Sequence, residues 1–263
     1  MNNSKPKVLV TRPKEEAERL KELLAAAGIE VLCFPTIEIL PLEDYSKVDA
    51  TLQRLEDFHW LVFTSANGVK FFFKRWRTLY GHRPLPSLWI ACIGPGTAEA
   101  LSKRGIRAHL IPSNFKSEDL AQALIGRDIK GKKVFLARAK GARDVLPKIL
   151  EEAGAFVVDV PFYKVEKPKE GLPIFKELLK EKIDVITFTS SQTVRNFFEL
   201  TEGYWPKGTI AACIGPITAN TFKDIYGTEP MIIPPVYTIE SLATSIIEYL
   251  QGGKGCVNRQ HTS

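Results

Sequence analysis

Cysteine is scarce in this chain and badly placed for its structural uses. Cys33, Cys92, Cys213 and Cys256 are the only four in 263 residues. They are far apart, form no CxxC pair and have no His at zinc spacing, so a disulfide scaffold and a zinc site are excluded and reduced thiols are expected. Long apolar runs are missing too. No uncharged stretch reaches the ~18 residues of a membrane span, and the N-terminus MNNSKPKVLV lacks the ~7–15-residue apolar core of a secretory signal. Neither membrane insertion nor secretion is expected, and the location read from this is cytoplasmic. With 44% hydrophobic and 25% charged residues, the composition is neither disordered nor fibrous.

The motifs that mark common chemistries are also missing. There is no GxGxxG after the first apolar run, no GxxxxGK[ST], no GxSxG and no HExxH, so dinucleotide, P-loop, hydrolase and zinc-protease readings lose their mechanical basis. The four histidines, His59, His82, His109 and His261, cluster with nothing and are read as structural or surface groups. The net charge of +6 is spread along the chain rather than set in basic runs with interleaved aromatics. That favours a polycarboxylate or phosphate ligand over nucleic acid.

What the chain does contain is an internal repeat. VLVTRPKEEAERLKELLAAAGIEVLCFP (8–35) aligns without a gap on VFLARAKGARDVLPKILEEAGAFVVDVP (134–161) at an offset of 126, matching Arg12 to Arg138 and Gly28 to Gly154. WLVFTSANGVKFFF aligns on DVITFTSSQTVRNFF, with Ser65 on Ser190, and IACIGPGTAEAL on AACIGPITANTF, with Gly94 on Gly215. Three blocks recur in one order, so the chain is a duplication.

Each block reads as a strand followed by a helix. Val8–Val10 is a short apolar run; Leu20, Leu23, Leu24 and Ala27 then fall at helical spacing with Gly28 as the stop. Leu61, Val62 and Phe63 form a buried strand ahead of cap residues Thr64, Ser65 and Asn67, and Gly94-Pro95 opens another helix. Strands alternating with helices predict parallel sheets covered on both faces. The expected fold is therefore α/β, with two flavodoxin-like doubly wound domains of roughly five strands each. Two Pro-punctuated extended segments, PTIEILPLED and PFYKVEKPKEG, are expected to pair as a two-stranded antiparallel linker. On that reading one domain is discontinuous, residues 1–35 plus 168–263, the other is 41–162, and 35–41 and 162–168 are the linker strands. Tandem domains of 1–128 and 129–250 remain open, and the tail from Gly252 is expected to be disordered.

The chemistry is expected at the strand-to-helix junctions, where backbone N–H groups and hydroxyls meet the carboxyl ends of strands. Ser65, Ser190, Thr97 and Thr218 are the hydroxyls there, and Gly94 and Gly215 the backbone positions. Any one of these serines or threonines is explained well enough as a helix cap; at repeated positions they point to a shared anion cleft. Arg12 and Arg138 end the first strand of each repeat, and Arg143 follows closely, where guanidinium forks suit carboxylates. Cys92 and Cys213 sit in apolar strands and are read as buried small residues rather than nucleophiles. Tyr163 lies in the returning linker, where a phenol is either a packing residue or a cleft group.

In their order and spacing, the RP block with Gly28, FTSxNGV with its Phe pair, IGPGTAEAL and the linker PFYKVEKP resemble the uroporphyrinogen-III synthase family over about residues 7–250. The resemblance implies a cofactor-free, metal-free enzyme acting on hydroxymethylbilane, a linear tetrapyrrole with eight carboxylates. The ring A hydroxyl leaves as water, and the last pyrrole is inverted through a spiro intermediate as the ring closes. The resemblance makes Tyr163 the group assisting departure of the hydroxyl. It makes Thr97, Thr218, Ser65 and Ser190 substrate-binding groups, beside the carboxylate-binding guanidiniums Arg12, Arg138 and Arg143. A monomer is expected, supplied by hydroxymethylbilane synthase, with no nucleic-acid or membrane partner. Two other readings stay open: a non-catalytic two-lobed binding protein for an anionic small molecule, and a nucleotide-dependent transferase, for which no nucleotide motif is found.

Overall fold

The computed structural model describes residues 5–252. In chain order its elements are β1 (Lys7–Val10), α1 (Lys14–Ala26), β2 (Glu30–Cys33), β3 (Glu38–Pro41), α2 (Ser46–Leu52), β4 (Trp60–Phe63), α3 (Ala66–Tyr80), β5 (Trp89–Cys92), α4 (Pro95–Ser102) and α5 (Ser117–Ile125). They continue as β6 (Lys133–Ala139), α6 (Val145–Glu152), β7 (Phe156–Glu166), α7 (Leu172–Leu178), β8 (Val185–Phe188), α8 (Ser191–Leu200), β9 (Ile210–Cys213), α9 (Pro216–Tyr226) and α10 (Ile239–Leu250). The chain divides into two compact units: a terminal unit, residues up to Glu38 with those from Glu166 onward, and a middle unit, Ile39–Val165.

The terminal unit holds a sheet in the order β2-β1-β8-β9, and the middle unit one in the order β3-β7-β6-β4-β5. All registered pairs from β2 to β9 and from β7 to β5 are parallel. Taking β1 and β6 as repeat equivalents, both sheets follow the doubly wound order in which the second strand lies outside the first and the third inside it. The two Pro-flanked extended segments are neighbours, since β3 is hydrogen-bonded to β7 at one edge of the middle sheet.

Side-chain alternation explains why both faces need covering. Val8 and Val10 pack with Ala17, Leu20, Leu24, Leu242 and Ile246 on one face of the terminal sheet. Leu9, between them in sequence, packs with Phe34, Phe175, Phe188, Phe197 and Phe222 on the other. In the middle unit Trp60, Val62, Val134 and Leu136 meet Leu120, Leu124, Leu146 and Leu150. Leu61, Phe63 and Phe135 meet Phe72, Trp76 and Phe162 on the opposite face. Strands buried on both faces read as continuous apolar runs, as WLVF and VITF do.

Two details depart from the sequence reading. Beyond β5 in the five-stranded middle sheet and beyond β9 in the four-stranded terminal one, the next strand is reduced to a single parallel bridge, Ala91 with Leu110 and Ala212 with Ile232, so the terminal sheet has one full strand fewer than the expected five. Pro112 and Pro234 follow two residues later and offer no N–H to extend the ladder. Helix α6 begins at Val145, five residues later than an exact repeat of α1 would place it, because 140–144 forms a loop through the left-handed Gly141 (φ +75°). The expected helix stops do recur: Gly28 and Gly154 have φ of +79° and +86°.

Cys92 and Cys213 are buried free thiols, and burial pushes both thiols up. His59 and His109 each use Nδ1 to accept a backbone N–H, from Lys133 at 3.2 Å and from Ile90 at 2.9 Å. The expectations for Cys256, His261 and nearly all of the tail fall outside the described residues.

Candidate active site

In the middle unit the carboxyl ends of β4 and β6 lie side by side, with Phe63 registered opposite Ala137. At the end of β4, Ser65 caps α3, its Oγ accepting the Gly68 N–H at 2.9 Å. At the end of β6 the register with β7 slips by one residue between Arg138 and Ala139, which sets Tyr163 opposite Ala139. Such a bulge re-aims a side chain. The Lys140 N–H fixes the slip by donating to the Tyr163 carbonyl at 2.7 Å. The result is a phenol 2.9 Å from the capping serine, Tyr163 Oη to Ser65 Oγ, with its ring stacked on Phe71 at 5.3 Å between centroids. Tyr163 is 5% exposed. Two residues 98 positions apart are thus joined at the positive end of a helix dipole.

Gly68 makes this approach possible. A Cβ there would lie 2.6 Å from the Ala137 carbonyl oxygen and 3.3 Å from Ser65 Oγ, so no side chain fits between the first turn of α3 and β6.

Arg138 is placed differently from the ligand-facing fork expected. Its side chain is 5% exposed, and Nε donates to Asp159 Oδ1 at 2.7 Å while Nη2 pairs with Asp159 Oδ2. Nη1 donates to the Arg143 carbonyl at 2.6 Å. The Asp159 carboxylate holds the guanidinium more firmly protonated than usual, against the opposing effect of burial. Arg138 is therefore spent on clamping the 140–144 loop to β7. Arg143 keeps an exposed side chain with no hydrogen bond or ion pair among the described residues.

The terminal unit builds the matching edge. Ser190 caps α8 in a reciprocal box with Thr193, whose N–H donates to Ser190 Oγ at 3.2 Å. Thr11, at the end of β1, donates its hydroxyl to the Thr187 carbonyl at 2.7 Å. Thr36 donates to the Thr11 carbonyl at 3.2 Å, and Asn196 from α8 donates to the Thr36 carbonyl at 2.7 Å. This buried ladder fixes the residue that follows, Arg12. Its Nη2 donates to Glu16 at 3.0 Å, while its Nε is buried without any partner. A guanidinium with an orphaned buried donor is a group with binding capacity left over.

The third junction recurs in both units. Gly94 and Gly215 are the N-caps of α4 and α9, each followed by Pro in the first turn and neither backed by a side-chain cap bond. Their φ values of −176° and −175° are extended, so any residue could adopt them. Glycine is required for room: a Cβ would meet the Phe115 ring at 3.1 Å in one unit and the Tyr237 ring at 3.1 Å in the other. Thr97 and Thr218 follow in the first turns, each 5% exposed. Neither hydroxyl makes a hydrogen bond among the described residues. Nor is either oxygen sealed off, since among the described residues Arg12 Nε is the fully buried polar side-chain atom left without a partner. Both hydroxyls and the open N–H groups of the two helices are thus able to take an anion.

Among the described residues no group of three or more His, Cys, Asp and Glu comes together to hold a metal, and no helix is long and apolar enough to cross a membrane. A cavity of about 650 Å³ beside Ile90, lined by Arg77, Arg83, Arg104 and Arg107 among others, lies near the amino end of β5 and shares no residue with the junctions above. The sequence reading missed Phe115, Tyr237, Asp159, Thr36, Asn196 and the packing role of Gly68. The two aromatics alone carried a signal, recurring as NFKSEDL and VYTIESL just after the third block.

The family described as uroporphyrinogen-III synthase HemD matches residues 18–244. A putative uroporphyrinogen-III synthase of Methanothermobacter thermautotrophicus is 33% identical over 247 residues, covering 90% of this chain and 96% of that protein. The uroporphyrinogen-III synthase of Synechococcus elongatus is 30% identical over 252 residues, covering 92% and 94%. The crystal structure of uroporphyrinogen-III synthetase from Helicobacter pylori shares the fold, with a TM-score of 0.60 at 19% identity over 93% of this chain and 99% of that one. The duplicated junctions, the parallel sheets and these matches over nearly the whole length agree: the chain belongs to the uroporphyrinogen-III synthase family.

Proposed function

We propose that this chain closes hydroxymethylbilane to uroporphyrinogen III with Tyr163 as the proton donor. The observation that carries the assignment is the Tyr163–Ser65 hydrogen bond at the N-terminus of α3. Ser65 Oγ already accepts the Gly68 N–H, so its own proton is available for Tyr163 Oη. In that arrangement the phenol proton is directed away from Ser65. As the ring A pyrrole nitrogen pushes electrons toward its hydroxymethyl carbon, the phenol protonates the departing hydroxyl, the C–O bond breaks and water leaves. Ring D attacks the electrophilic methylene carbon through the ring carbon that already bears its link to ring C, giving the spiro intermediate; that link breaks, the freed ring C methylene is recaptured by the unsubstituted α carbon of ring D, and the proton displaced there on rearomatisation returns to Tyr163. The net change is loss of one water, and no cofactor enters.

Binding falls to the two repeated edges. Thr97 and Thr218, with the first-turn N–H groups of Gly96 and Ile217, take substrate carboxylates, as do Arg12 and Arg143; Ser190 supplies the terminal unit's counterpart of Ser65. Arg138 acts on substrate only through the loop it holds. Orientation supplies much of the rate, since the uncatalysed chain closes without inversion and the protein has only to bring the correct carbon to the electrophile. The same reading has the protein work as a cytoplasmic monomer supplied by hydroxymethylbilane synthase. The isomer composition of the porphyrin formed from hydroxymethylbilane tests the function, and sedimentation at working concentration tests the monomer.

A further inference from the structure

Two large aromatic side chains stand in the open at equivalent places in the repeat. Phe115 is 57% exposed and Tyr237 is 61% exposed, although each packs its ring against an N-cap glycine, Gly94 and Gly215 respectively. Each therefore has one side held by backbone and the other turned to solvent. Each ring is seated on the N-cap of a helix, α4 or α9, whose first turn carries a threonine that is 5% exposed and whose hydroxyl has no partner among the described residues.

A simpler account is that each aromatic is a hydrophobic staple, since each precedes the N-cap of its following helix and Leu120 and Leu242 occupy the fourth helical positions. A staple explains why the residue is apolar. It does not explain an exposure above half, nor why two different aromatics share a seat that forces glycine on a neighbouring helix cap.

We propose that Phe115 and Tyr237 are substrate-binding residues: each stacks its exposed ring face on a pyrrole whose acid side chain is taken by the helix N-terminus and threonine beside it. This rests on the synthase reading, and it deepens that reading by naming what holds the rings as distinct from the carboxylates. The chemistry matches on both counts. A pyrrole is a flat, electron-rich ring that packs on an aromatic face, and its carboxylate arm is anionic. Ring and arm are covalently joined, so a recognition unit must offer an apolar face and an anion seat side by side, as each of these junctions does.

The test compares Phe115→Leu and Tyr237→Leu, which keep a staple but lose the ring, with Phe115→Tyr and Tyr237→Phe, which keep both. KM for freshly generated hydroxymethylbilane and the type III to type I ratio are measured together with thermal melts. The expected result is a KM raised about three- to ten-fold in each Leu variant, a larger type I share, and wild-type values in the ring-preserving variants. Because KM does not depend on the folded fraction, it decides even for a variant that melts lower. Wild-type KM and isomer ratio in both Leu variants, with or without a lower melting temperature, would leave the aromatics as staples and overturn the proposal. If the unaltered protein itself forms only type I, the synthase reading has failed, and the aromatic proposal falls with it for that separate reason.

Discussion

Arg138 and Asp159 give the sharpest separation between a side chain that binds substrate and one that holds the fold. The guanidinium is 5% exposed and the carboxylate 33% exposed, so the two ends of the pair are not equivalent. Asp159→Ala strands a buried guanidinium, for which the expected cost is about 3–5 kcal/mol. Arg138→Met removes the buried charge and leaves Asp159 and the Arg143 carbonyl within reach of water, so the loss is smaller, about 1–3 kcal/mol. Because one contact is broken in both, the double variant should be more stable than the sum of the single losses predicts. Urea unfolding followed by tryptophan fluorescence reads this well, since Trp60, Trp76 and Trp89 lie in the middle unit and Trp205 alone reports from the terminal one. The predicted order of midpoints is wild type, Arg138→Met, then Asp159→Ala, and any rise in KM follows the loss of stability, because the loop that carries Arg143 is released only when the clamp is broken. An Arg138→Met protein with a wild-type urea midpoint and a raised KM would refute the reasoning and return Arg138 to the substrate.

Three other outcomes are expected. Tyr163→Phe should lower turnover while costing about 1 kcal/mol of stability for the lost bond to Ser65 Oγ, which still accepts from Gly68; unchanged turnover removes Tyr163 from the chemistry. Thr218→Ala should raise KM with the melting temperature held, since its hydroxyl makes no internal bond to lose; wild-type kinetics would leave the threonine as helix filler. Gly68→Ala should destabilise by about 1–3 kcal/mol and slow turnover together, because a Cβ placed 2.6 Å from the Ala137 oxygen must push away the turn that carries Ser65; a wild-type melt contradicts that packing.

The sequence made the repeat legible because duplicated strands and caps carry the same local signals twice. Ser65 and Ser190 are caps in both units for the reason their positions before apolar helices imply. What could not be read was long-range. Asp159 meets Arg138 from 21 residues away, and nothing local marks one carboxylate on β7 as the partner of an arginine on β6. The bulge that sets Tyr163 beside Ala139 is a property of strand pairing, invisible in either strand alone. Gly94 and Gly215 were placed at the site for their backbones, while the structure shows a steric need set by Phe115 and Tyr237, more than 20 residues further on. The prolines after Leu110 and Ile232 are visible in the sequence, yet their effect in cutting the strand beyond β5 and β9 to one bridge depends on where the neighbouring strand ends.

The most direct test of the account is the product made from fresh hydroxymethylbilane by the unaltered protein with no cofactor added, oxidised and resolved into its porphyrin isomers. Closure with inversion predicts a dominant type III peak that grows with protein concentration, against the type I product of spontaneous closure. Type I alone, at every protein concentration, would contradict it.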